Sequence, residues 1–375
     1  MDRLRVGIIG SKFIASIHAE ALARVPNAEV RAVCSTTEAG ARAFAEQHGI
    51  PHWRVGYGDL LARDDIDMVT VCVPNDLHRD VVVAAARAGK HVVCEKPLCL
   101  TLDQADEMIA ACRDAGVKLM YAEELCFAPK YVRMKQLVDE GALGAIHCVK
   151  QSEKHDGPHA AWFWDVGRSG GGVTMDMGCH AIEFFRWMLG KPRVASVYAE
   201  MGTRVHGAKT KGDDHSVIIV TFEGGVTCIA EESWCKKGGM DDRAEVHGSE
   251  GVCYANLLQG NSLLTYSDVG YGYAIEKAGK TQGWSFTMYE EAWNYGFPQE
   301  LSHYTDCVLN DTQPLETGED GREVLRMIFA AYESARTGQR VDFPWDPPAW
   351  AHSPIHCWKP WLSPDCLEGL RQDAG

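Results

Sequence analysis

Hydrophobic and polar positions alternate in blocks along the first third of the chain. Short apolar runs are separated by longer stretches. In these stretches apolar residues recur every three or four positions, as on one face of a helix. The short runs, each long enough for one buried strand, are residues 4–9, 30–34, 69–73, 91–94 and 117–121. Strands separated by helices indicate a doubly wound parallel sheet, so we predict an α/β fold for this part.

After about residue 123 the pattern changes. Strand-like runs follow one another without intervening helices, and the stretch TFEGGVTCI (221–229) predicts a hairpin with a Gly-Gly turn. Successive strands indicate an antiparallel sheet within an α+β domain. We therefore predict two domains, an α/β domain at residues 1–123 and an α+β domain at residues 124–375.

Four helices are predicted in this second part, at residues 129–140, 173–189, 300–310 and 321–337. The tail from residue 343 is dense in proline and tryptophan, which argues against any regular element. We expect the tail to pack across the body of the protein or a neighbouring subunit.

Composition changes this picture little. Hydrophobic residues make up 46% and charged residues 24% of the 375 residues, and no apolar run approaches the roughly 20 residues that span a bilayer. A strand starts within three residues of the N-terminus, leaving no room for a signal peptide. The net charge of −15 argues against nucleic acid as a partner. We expect a cytoplasmic protein with neither a membrane nor a nucleic-acid partner.

The cysteines do not form a metal or disulfide pattern. There are fourteen, spread along the chain without a C-x-x-C pair. Buried reduced thiols are the simplest interpretation.

The first apolar strand is followed by a candidate phosphate-binding turn. A strand, a glycine turn and a helix N-terminus together bind the pyrophosphate of a dinucleotide. Lysine occupies the position of the second glycine in a G-x-G-x-x-G pattern, so either its ammonium pairs with the pyrophosphate or the diphosphate sits differently. The predicted contacts are Gly10, Ser11, Lys12, Phe13 and Ile14.

The second strand ends where such a domain binds the adenosine ribose. Ser35 and Thr36 stand there, and neither a carboxylate nor an arginine is adjacent. Hydroxyl groups can bond a 2′-OH or a 2′-phosphate. The predicted cofactor is NAD or NADP, with a slight preference for NAD.

The stretch from residue 69 to residue 97 predicts a β-α-β unit that ends in Glu95-Lys96-Pro97. Ligands bind beyond the carboxyl ends of parallel strands, so Lys96 is a candidate site residue. Pro74, Asn75 and His78 follow the preceding strand and are candidate cofactor contacts. The alternatives are a solvated loop lysine and a simple helix cap at Asn75.

Asp176 and His180 lie four residues apart just after a run of three glycines. On a helix this spacing places both side chains on one face. The carboxylate could orient the imidazole or hold a substrate hydroxyl, and the histidine could move a proton near neutral pH. The alternative is a hydrogen-bonded pair on a helix surface.

The polar, aromatic segment at residues 150–165 offers potential ligand contacts. Tryptophan faces suit stacking on a sugar ring or an aromatic aglycone. A metal site formed by the histidines with Glu153 or His180 and plain domain packing are alternatives; irregular spacing is a poor metal signature, so no metal is predicted. The residues are Glu153, His155, His159, Trp162, Trp164 and Asp165.

Taken together, these motifs resemble the Gfo/Idh/MocA family of oxidoreductases, which includes glucose–fructose oxidoreductase and inositol dehydrogenase. The resemblance covers nearly the whole chain. It implies a dinucleotide-binding Rossmann domain at residues 1–123, followed at residues 124–375 by a substrate-binding and oligomerisation domain with an open-faced antiparallel sheet. The segments that carry it are VGIIG, VPNDLH, AGKHVVCEKP, GGGVTMDMGCHAIE, EVHGSEG and TGEDGREVLRMIFAAYESARTG.

The resemblance implies hydride transfer at a secondary hydroxyl of a sugar, cyclitol or glycoside. His180 would be the general base, Lys96 would stabilise alkoxide charge, and Asp176 would orient the substrate. Glu95 joins the expected cofactor contacts, and Glu123 the expected substrate contacts. The chain departs from the common family pattern at Lys12, at Ser35 and in the stretch YAEELCFAP.

Two other functions remain open from the sequence. The first is a glycosidase or isomerase of the same fold that retains its cofactor through an internal oxidation, elimination and reduction cycle. The second is a non-catalytic NAD(P)-binding regulatory protein. We also expect a homodimer or homotetramer, because the exposed sheet face in this family often pairs between subunits.

Overall fold

The computed structural model describes residues 3–258, 262–268, 282–288 and 290–362. Contacts divide the chain into two compact units. The N-terminal unit combines Met1–Ala128 with Tyr295–Glu323, and the C-terminal unit combines Pro129–Asn294 with Val324–Gly375. The predicted division at residue 123 left Tyr295–Glu323 in the second domain, because no local pattern marks a segment that returns to an earlier part of the fold.

The N-terminal unit is built on a six-stranded parallel sheet with the strand order β3-β2-β1-β4-β5-β6. This confirms the doubly wound α/β prediction. Its strands are β1 (Leu4–Ile9), β2 (Ala28–Ser35), β3 (His52–Val55), β4 (Met68–Val71), β5 (His91–Glu95) and β6 (Leu119–Ala122). No apolar run predicted β3, because its four residues lack a buried apolar position.

The C-terminal unit contains a seven-stranded sheet with the order β12-β11-β7-β10-β9-β8-β15 and a separate hairpin of β13 and β14. The sheet is mixed, since β7 and β10 pair in parallel while its other pairs are antiparallel. The strands are β7 (Ile146–Lys154), β8 (Val194–Gly202), β9 (His215–Phe222), β10 (Thr227–Ser233), β11 (Asp241–Gly248), β12 (Val252–Asn256), β13 (Ser262–Ser267), β14 (Gly283–Met288) and β15 (Val341–Asp342).

Helices connect and cover these strands. Some begin at a residue whose side chain caps the helix; for example, the Thr37 and Thr101 hydroxyls accept hydrogen bonds from backbone N–H groups three residues on. In chain order the helices are α1 (Phe13–Leu22), α2 (Glu38–His48), α3 (Tyr57–Leu61), α4 (His78–Arg87), α5 (Leu102–Asp114), α6 (Pro129–Asp139), α7 (Val166–Ser169), α8 (Val173–Asp176), α9 (Gly178–Met188), α10 (Glu291–Tyr295), α11 (Phe297–Leu309), α12 (Gly318–Thr337) and α13 (Pro354–Trp358).

The seven-stranded sheet has one buried and one open face. Along β9, buried and half-buried residues alternate strictly, as the period of a strand requires. Helix α9 packs on β7 and β10. The predicted hairpin is confirmed: Thr221 pairs with Thr227, and Gly224 and Gly225 both have positive φ.

Two predictions of regular structure were wrong in detail. The helix predicted at residues 173–189 is divided at Met177 into α8 and α9. The proline-rich tail was expected to hold no regular element, yet Pro354 starts the short helix α13, since proline suits the first helical position. Ile355 N–H in this helix donates to the Gly170 carbonyl at 3.0 Å, so the tail packs on the body of the C-terminal unit.

All thirteen cysteines in the described part of the chain are free thiols. Within those residues, no helix has the length and apolar character needed to cross a membrane.

Candidate active site

The turn after β1 brings the backbone of Gly10 against the residue that follows β4. Gly10 has φ of +125°, and a Cβ atom built there would lie 2.2 Å from the Cys72 carbonyl oxygen. Both the conformation and the close approach require glycine. The first glycine of the predicted phosphate turn therefore has a defined structural reason.

Helix α1 starts directly after this turn. Lys12 precedes it with an extended backbone, its side chain is exposed and does not cap the helix, and no acidic residue lies in the first turn. The N-terminal end of a helix favours an anion such as a diphosphate. This end of the unit therefore fits the phosphates of a dinucleotide, with Ser11, Phe13 and Ile14 beside it.

Hydroxyl groups occupy the carboxyl end of β2. The Ser35 hydroxyl lies 2.8 Å from the Ser11 hydroxyl, and Thr36 is exposed. No carboxylate follows β2 where an acid often binds the ribose. These contacts fit an adenosine ribose and do not select between NAD and NADP.

Lys96 lies in the turn directly after β5 and is half-buried. The Glu95 carboxylate is buried, and its Oε2 accepts the Lys96 backbone N–H at 3.2 Å while its Oε1 lies 2.7 Å from His18 Nε2. His18 was not among the predicted site residues. It follows the glycine turn on the buried side of α1, which is the only signal the sequence carried for it.

Pro74, Asn75 and His78 follow β4, at the neighbouring strand end. Asn75 starts a short 3₁₀ helix, Asn75–Leu77, and is buried. His78 has no exposed surface, and its Nε2 lies 2.9 Å from the Val73 carbonyl while its Nδ1 lies 3.0 Å from the Pro97 carbonyl. The imidazole therefore joins two strand-end turns, and a direct cofactor contact of His78 stays a prediction.

Glu123, which follows β6, has no exposed surface. It precedes the 3₁₀ helix Glu124–Phe127 and is buried with Glu124. Its assignment to the substrate stays a prediction.

Asp176 ends α8, and His180 lies in the first turn of α9. Both side chains are buried, and the His180 N–H donates to the Met177 carbonyl at 3.0 Å, a contact that continues the helical path across the division. The pair is therefore held in adjoining helical turns, as its spacing predicted, although the helix is not continuous.

Two residues distant in sequence hold the start of α8. The Asp213 carboxylate accepts the Gly172 N–H at 3.1 Å and the Thr174 N–H at 2.8 Å, and it also accepts the Tyr332 hydroxyl. The Gly172 N–H is also within 2.9 Å of the Tyr332 oxygen. Burial raises the pKa of Asp213, and these hydrogen bonds oppose that shift. Asp213 thus satisfies helix N–H groups that would otherwise be buried without partners.

Gly172 is required by this arrangement. A Cβ atom there would lie 1.9 Å from the Asp213 backbone oxygen. The glycine run is visible in the sequence, but no sequence pattern marks its partners Asp213 and Tyr332.

Trp234, at the end of β10, contacts the Asp176 carboxylate. Its Nε1–H donates to Asp176 Oδ2 at 3.2 Å, and the ring is fully buried. Trp164 packs against it edge-on, with ring centroids 5.3 Å apart, and Trp162 stacks on Phe163 at 3.8 Å. These contacts favour domain packing for Trp164, while stacking of either ring on a substrate stays a prediction.

The other polar residues of this segment have different environments. His155 has no exposed surface and Glu153 is buried, whereas His159 is exposed. Asp165 is exposed and caps α7 by accepting the Gly167 N–H at 3.0 Å.

Glu153 belongs to a buried row of carboxyl groups that sequence analysis missed. It pairs in register with Glu232 on β10 and Asp242 on β11, so all three project from the buried sheet face. The Tyr131 hydroxyl donates to Asp242 at 2.5 Å. Burial, together with the Asp242 charge, raises the pKa of Glu232 well above its usual value.

Comparison with known proteins covers both units. Residues 4–123 match the model of the Gfo/Idh/MocA oxidoreductase family with an NAD-binding Rossmann fold. Residues 131–254 match the model of the Gfo/Idh/MocA C-terminal domain.

Individual relatives extend over most of the chain. An uncharacterised oxidoreductase, YrbE of Bacillus subtilis (strain 168), is 30% identical over 89% of this chain and 95% of its own. Myo-inositol 2-dehydrogenase of Thermotoga maritima is 29% identical over 90% and 98%. The crystal structure of GenD2 from gentamicin A biosynthesis, in complex with NAD, is 32% identical with a TM-score of 0.86, over 92% of this chain and 97% of that one.

Proposed function

The chain belongs to the Gfo/Idh/MocA family of oxidoreductases, and we propose that it transfers a hydride between a secondary hydroxyl of a sugar, cyclitol or glycoside and a nicotinamide cofactor. The observation that carries this proposal is the buried Asp176–His180 pair, whose carboxylate is fixed by Trp234. A buried acid and imidazole in adjoining helical turns suit substrate orientation and proton transfer.

The cofactor, when bound, accepts or supplies the hydride. In the N-terminal unit its phosphates would lie at Gly10 and the start of α1, and Ser11 and Ser35 would contact its ribose. We propose NAD rather than NADP as the preferred cofactor, because the similar GenD2 protein was crystallised in complex with NAD.

In the oxidation direction, the carbinol C–H bond breaks as the hydride leaves, and the carbonyl forms as the hydroxyl O–H bond breaks. His180 takes that proton as general base and returns it in the reduction direction. The Lys96 ammonium stabilises the negative charge that develops on the oxygen. Asp176 accepts a hydrogen bond from a neighbouring hydroxyl group and fixes the orientation of the ring.

The proposed substrate class is tested by absorbance at 340 nm with purified protein, NAD⁺ or NADP⁺, and a panel of cyclitols, free sugars and glycosides. We expect steady reduction of added cofactor with one substrate class. Lys96→Ala and His180→Ala should each lower kcat by about 100-fold or more. Release of an aglycone without net cofactor reduction would instead establish the glycosidase cycle. Full activity in a variant that combines Lys96→Ala with His180→Ala would disprove the catalytic roles of both residues.

We further propose a homodimer or homotetramer that pairs through the open face of the seven-stranded sheet. One row on that face runs through Ile219, Ile229 and Lys150 in register, and at the sheet edge Tyr254 is 66% exposed. Multi-angle light scattering should give a multiple of the 41.3 kDa chain mass. A Tyr254→Glu variant should shift that mass towards the monomer, and a monomeric parent protein would contradict the assignment.

A further inference from the structure

A buried ionic contact lies directly behind the Lys96 turn. His18 projects from α1 with no exposed surface, and its Nε2 lies 2.7 Å from Glu95 Oε1. Removing two charged groups from water costs several kcal/mol per ion, so such a pair is weak evidence for stability alone. Its location next to the proposed catalytic lysine points to a different role.

Glu95 connects His18 to the backbone of Lys96. One carboxylate oxygen contacts His18, and the other accepts the Lys96 N–H. Because a carboxylate held at both oxygens cannot rotate freely, the start of the turn is fixed relative to α1.

A second histidine fixes the far side of the same turn. His78 at the start of α4 contacts the Pro97 carbonyl and, through its other ring nitrogen, the Val73 carbonyl. Two buried imidazoles from different helices thus flank the residue that carries the ammonium group.

The charges around this contact support an ion pair. Although burial opposes it, Cys72 and Glu95 together raise the pKa of His18 well above its usual value. Helix α11 packs on α1 and places the Glu300 carboxyl nearby, with no exposed surface and, within the described residues, no hydrogen-bond partner.

Glu300 does not compete for the imidazolium. Burial, reinforced by the charge of Glu124, raises the pKa of Glu300 well above its usual value and so favours the neutral carboxyl. Glu123 and Lys96 are the other charged neighbours of this cluster. Among these carboxyl groups, Glu95 is the one in direct contact with His18.

We infer that His18 is a positioning residue for Lys96, acting through Glu95 to hold the turn that presents the ammonium group to the reacting oxygen. This inference rests on the proposed function, in which Lys96 acts on that oxygen. A displacement of about 1 Å at such a group can lower the rate about 100-fold.

The test compares His18→Gln, which keeps a hydrogen-bond donor and removes the charge, in the parent protein and in a Lys96→Ala background. Glu95→Gln serves as a second variant, in case His18→Gln fails to fold. His48→Asn is the matched control, because His48 on α2 contacts Ser16 on α1, the helix that carries His18, but takes no part in the His18–Glu95 pair. We expect His18→Gln to lower kcat by about 10- to 100-fold in the parent and by less than about twofold in Lys96→Ala, with His48→Asn unchanged.

If His18→Gln lowered kcat equally in both backgrounds, His18 would have a general structural role. If it left kcat unchanged in the parent, His18 would have no role in positioning Lys96. Either result overturns the inference and leaves the proposed function intact. Full activity of Lys96→Ala alone would overturn the role of Lys96 and the inference together. Independently of activity, NMR of labelled histidine should show His18 as an imidazolium at pH 7.5 in the parent and as neutral in Glu95→Gln. A neutral His18 in the parent protein would also overturn the ion pair.

Discussion

The two units hold their proposed catalytic side chains by different means. In the N-terminal unit, Lys96 directly follows a buried strand, and the contacts to its turn come from His18, Glu95 and His78. In the C-terminal unit, Asp176 and His180 lie in short helical segments, and the start of α8 depends on Asp213 and Tyr332. The turn after a strand needs only contacts to its backbone, because the sheet already sets the direction of the strand. A four-residue helix, in contrast, cannot persist without an external cap.

The units also differ in how they bury acidic groups. The N-terminal unit pairs Glu95 with an imidazole and buries Glu300 so that its pKa is raised. The C-terminal unit places Glu153, Glu232 and Asp242 side by side on one sheet face. Like charges so close cannot all ionise in a dry environment, so at least one of these carboxyls retains its proton.

The largest effect is expected where a backbone approach forbids a side chain. Gly10→Ala in the N-terminal unit and Gly172→Ala in the C-terminal unit would each press a Cβ atom against a carbonyl oxygen, at 2.2 Å and 1.9 Å. We expect each to cost about 4 kcal/mol or more of unfolding free energy, or to prevent folding. Urea denaturation measures the loss, and Gly58→Ala and Gly207→Ala, where a Cβ atom has room, are the controls. If both variants lost as little unfolding free energy as the controls, neither position would require glycine.

A smaller loss should follow removal of the Tyr332 hydroxyl. Tyr332→Phe deletes one hydrogen bond to Asp213 and one from the Gly172 N–H, so we expect about 1–3 kcal/mol of destabilisation and a lower kcat. Thermal unfolding and steady-state kinetics measure the two effects. Tyr198→Phe is the control, because that hydroxyl contacts Glu200 on the exposed face of the sheet. A lower Tm with unchanged kcat would mean that the cap does not position Asp176 and His180.

Trp234→Phe separates orientation from stability in the C-terminal unit. The variant keeps an aromatic ring at this position, but Asp176 loses the Trp234 Nε1–H donor at 3.2 Å. We expect kcat/KM to fall by about 5- to 20-fold, equivalent to about 1–2 kcal/mol. Trp187→Phe, on α9 but without that hydrogen bond, is the comparison. An equal effect in both variants would attribute the loss to packing instead.

The smallest effect is a pH-dependent gain in stability. The raised pKa of Glu232 means that the folded state keeps a proton that the unfolded state releases above about pH 4.5, so folding stability falls as pH rises from there. Glu232→Gln should be neutral at pH 4 and stabilising by about 1–2 kcal/mol at pH 8. Glu300→Gln should show the same pH dependence of stability in the N-terminal unit. Glu223 lies on the surface, so Glu223→Gln should leave the stability unchanged at both pH values. Chemical denaturation at both pH values measures these gains, and a loss at pH 8 would show that the carboxylate form is required.

Much of the N-terminal unit was readable from the sequence. The apolar runs predicted five of its six strands. Strands of a parallel sheet are buried on both faces, so they appear as continuous apolar runs. The strand β3 lacks that burial and was missed for the same reason.

The C-terminal unit was less readable. Its hairpin at Thr221–Thr227 was predicted correctly, because Gly-Gly between two alternating runs is a local signal. The parallel pairing of β7 with β10 carries no such signal, since the chain between them contains several helices and two other strands. The buried carboxyl row depends on that pairing and could not be anticipated.

By itself, the sequence determined the fold class, the family and the positions of Lys96, Asp176 and His180 within local motifs, because periodicity and turn chemistry act over a few residues. Only the tertiary structure decided which residues hold those side chains. His18 contacts Glu95, and Asp213 and Tyr332 contact Gly172, across long sequence separations. Such contacts follow from how strands and helices pack, and packing is a property of the whole folded unit rather than of any one stretch.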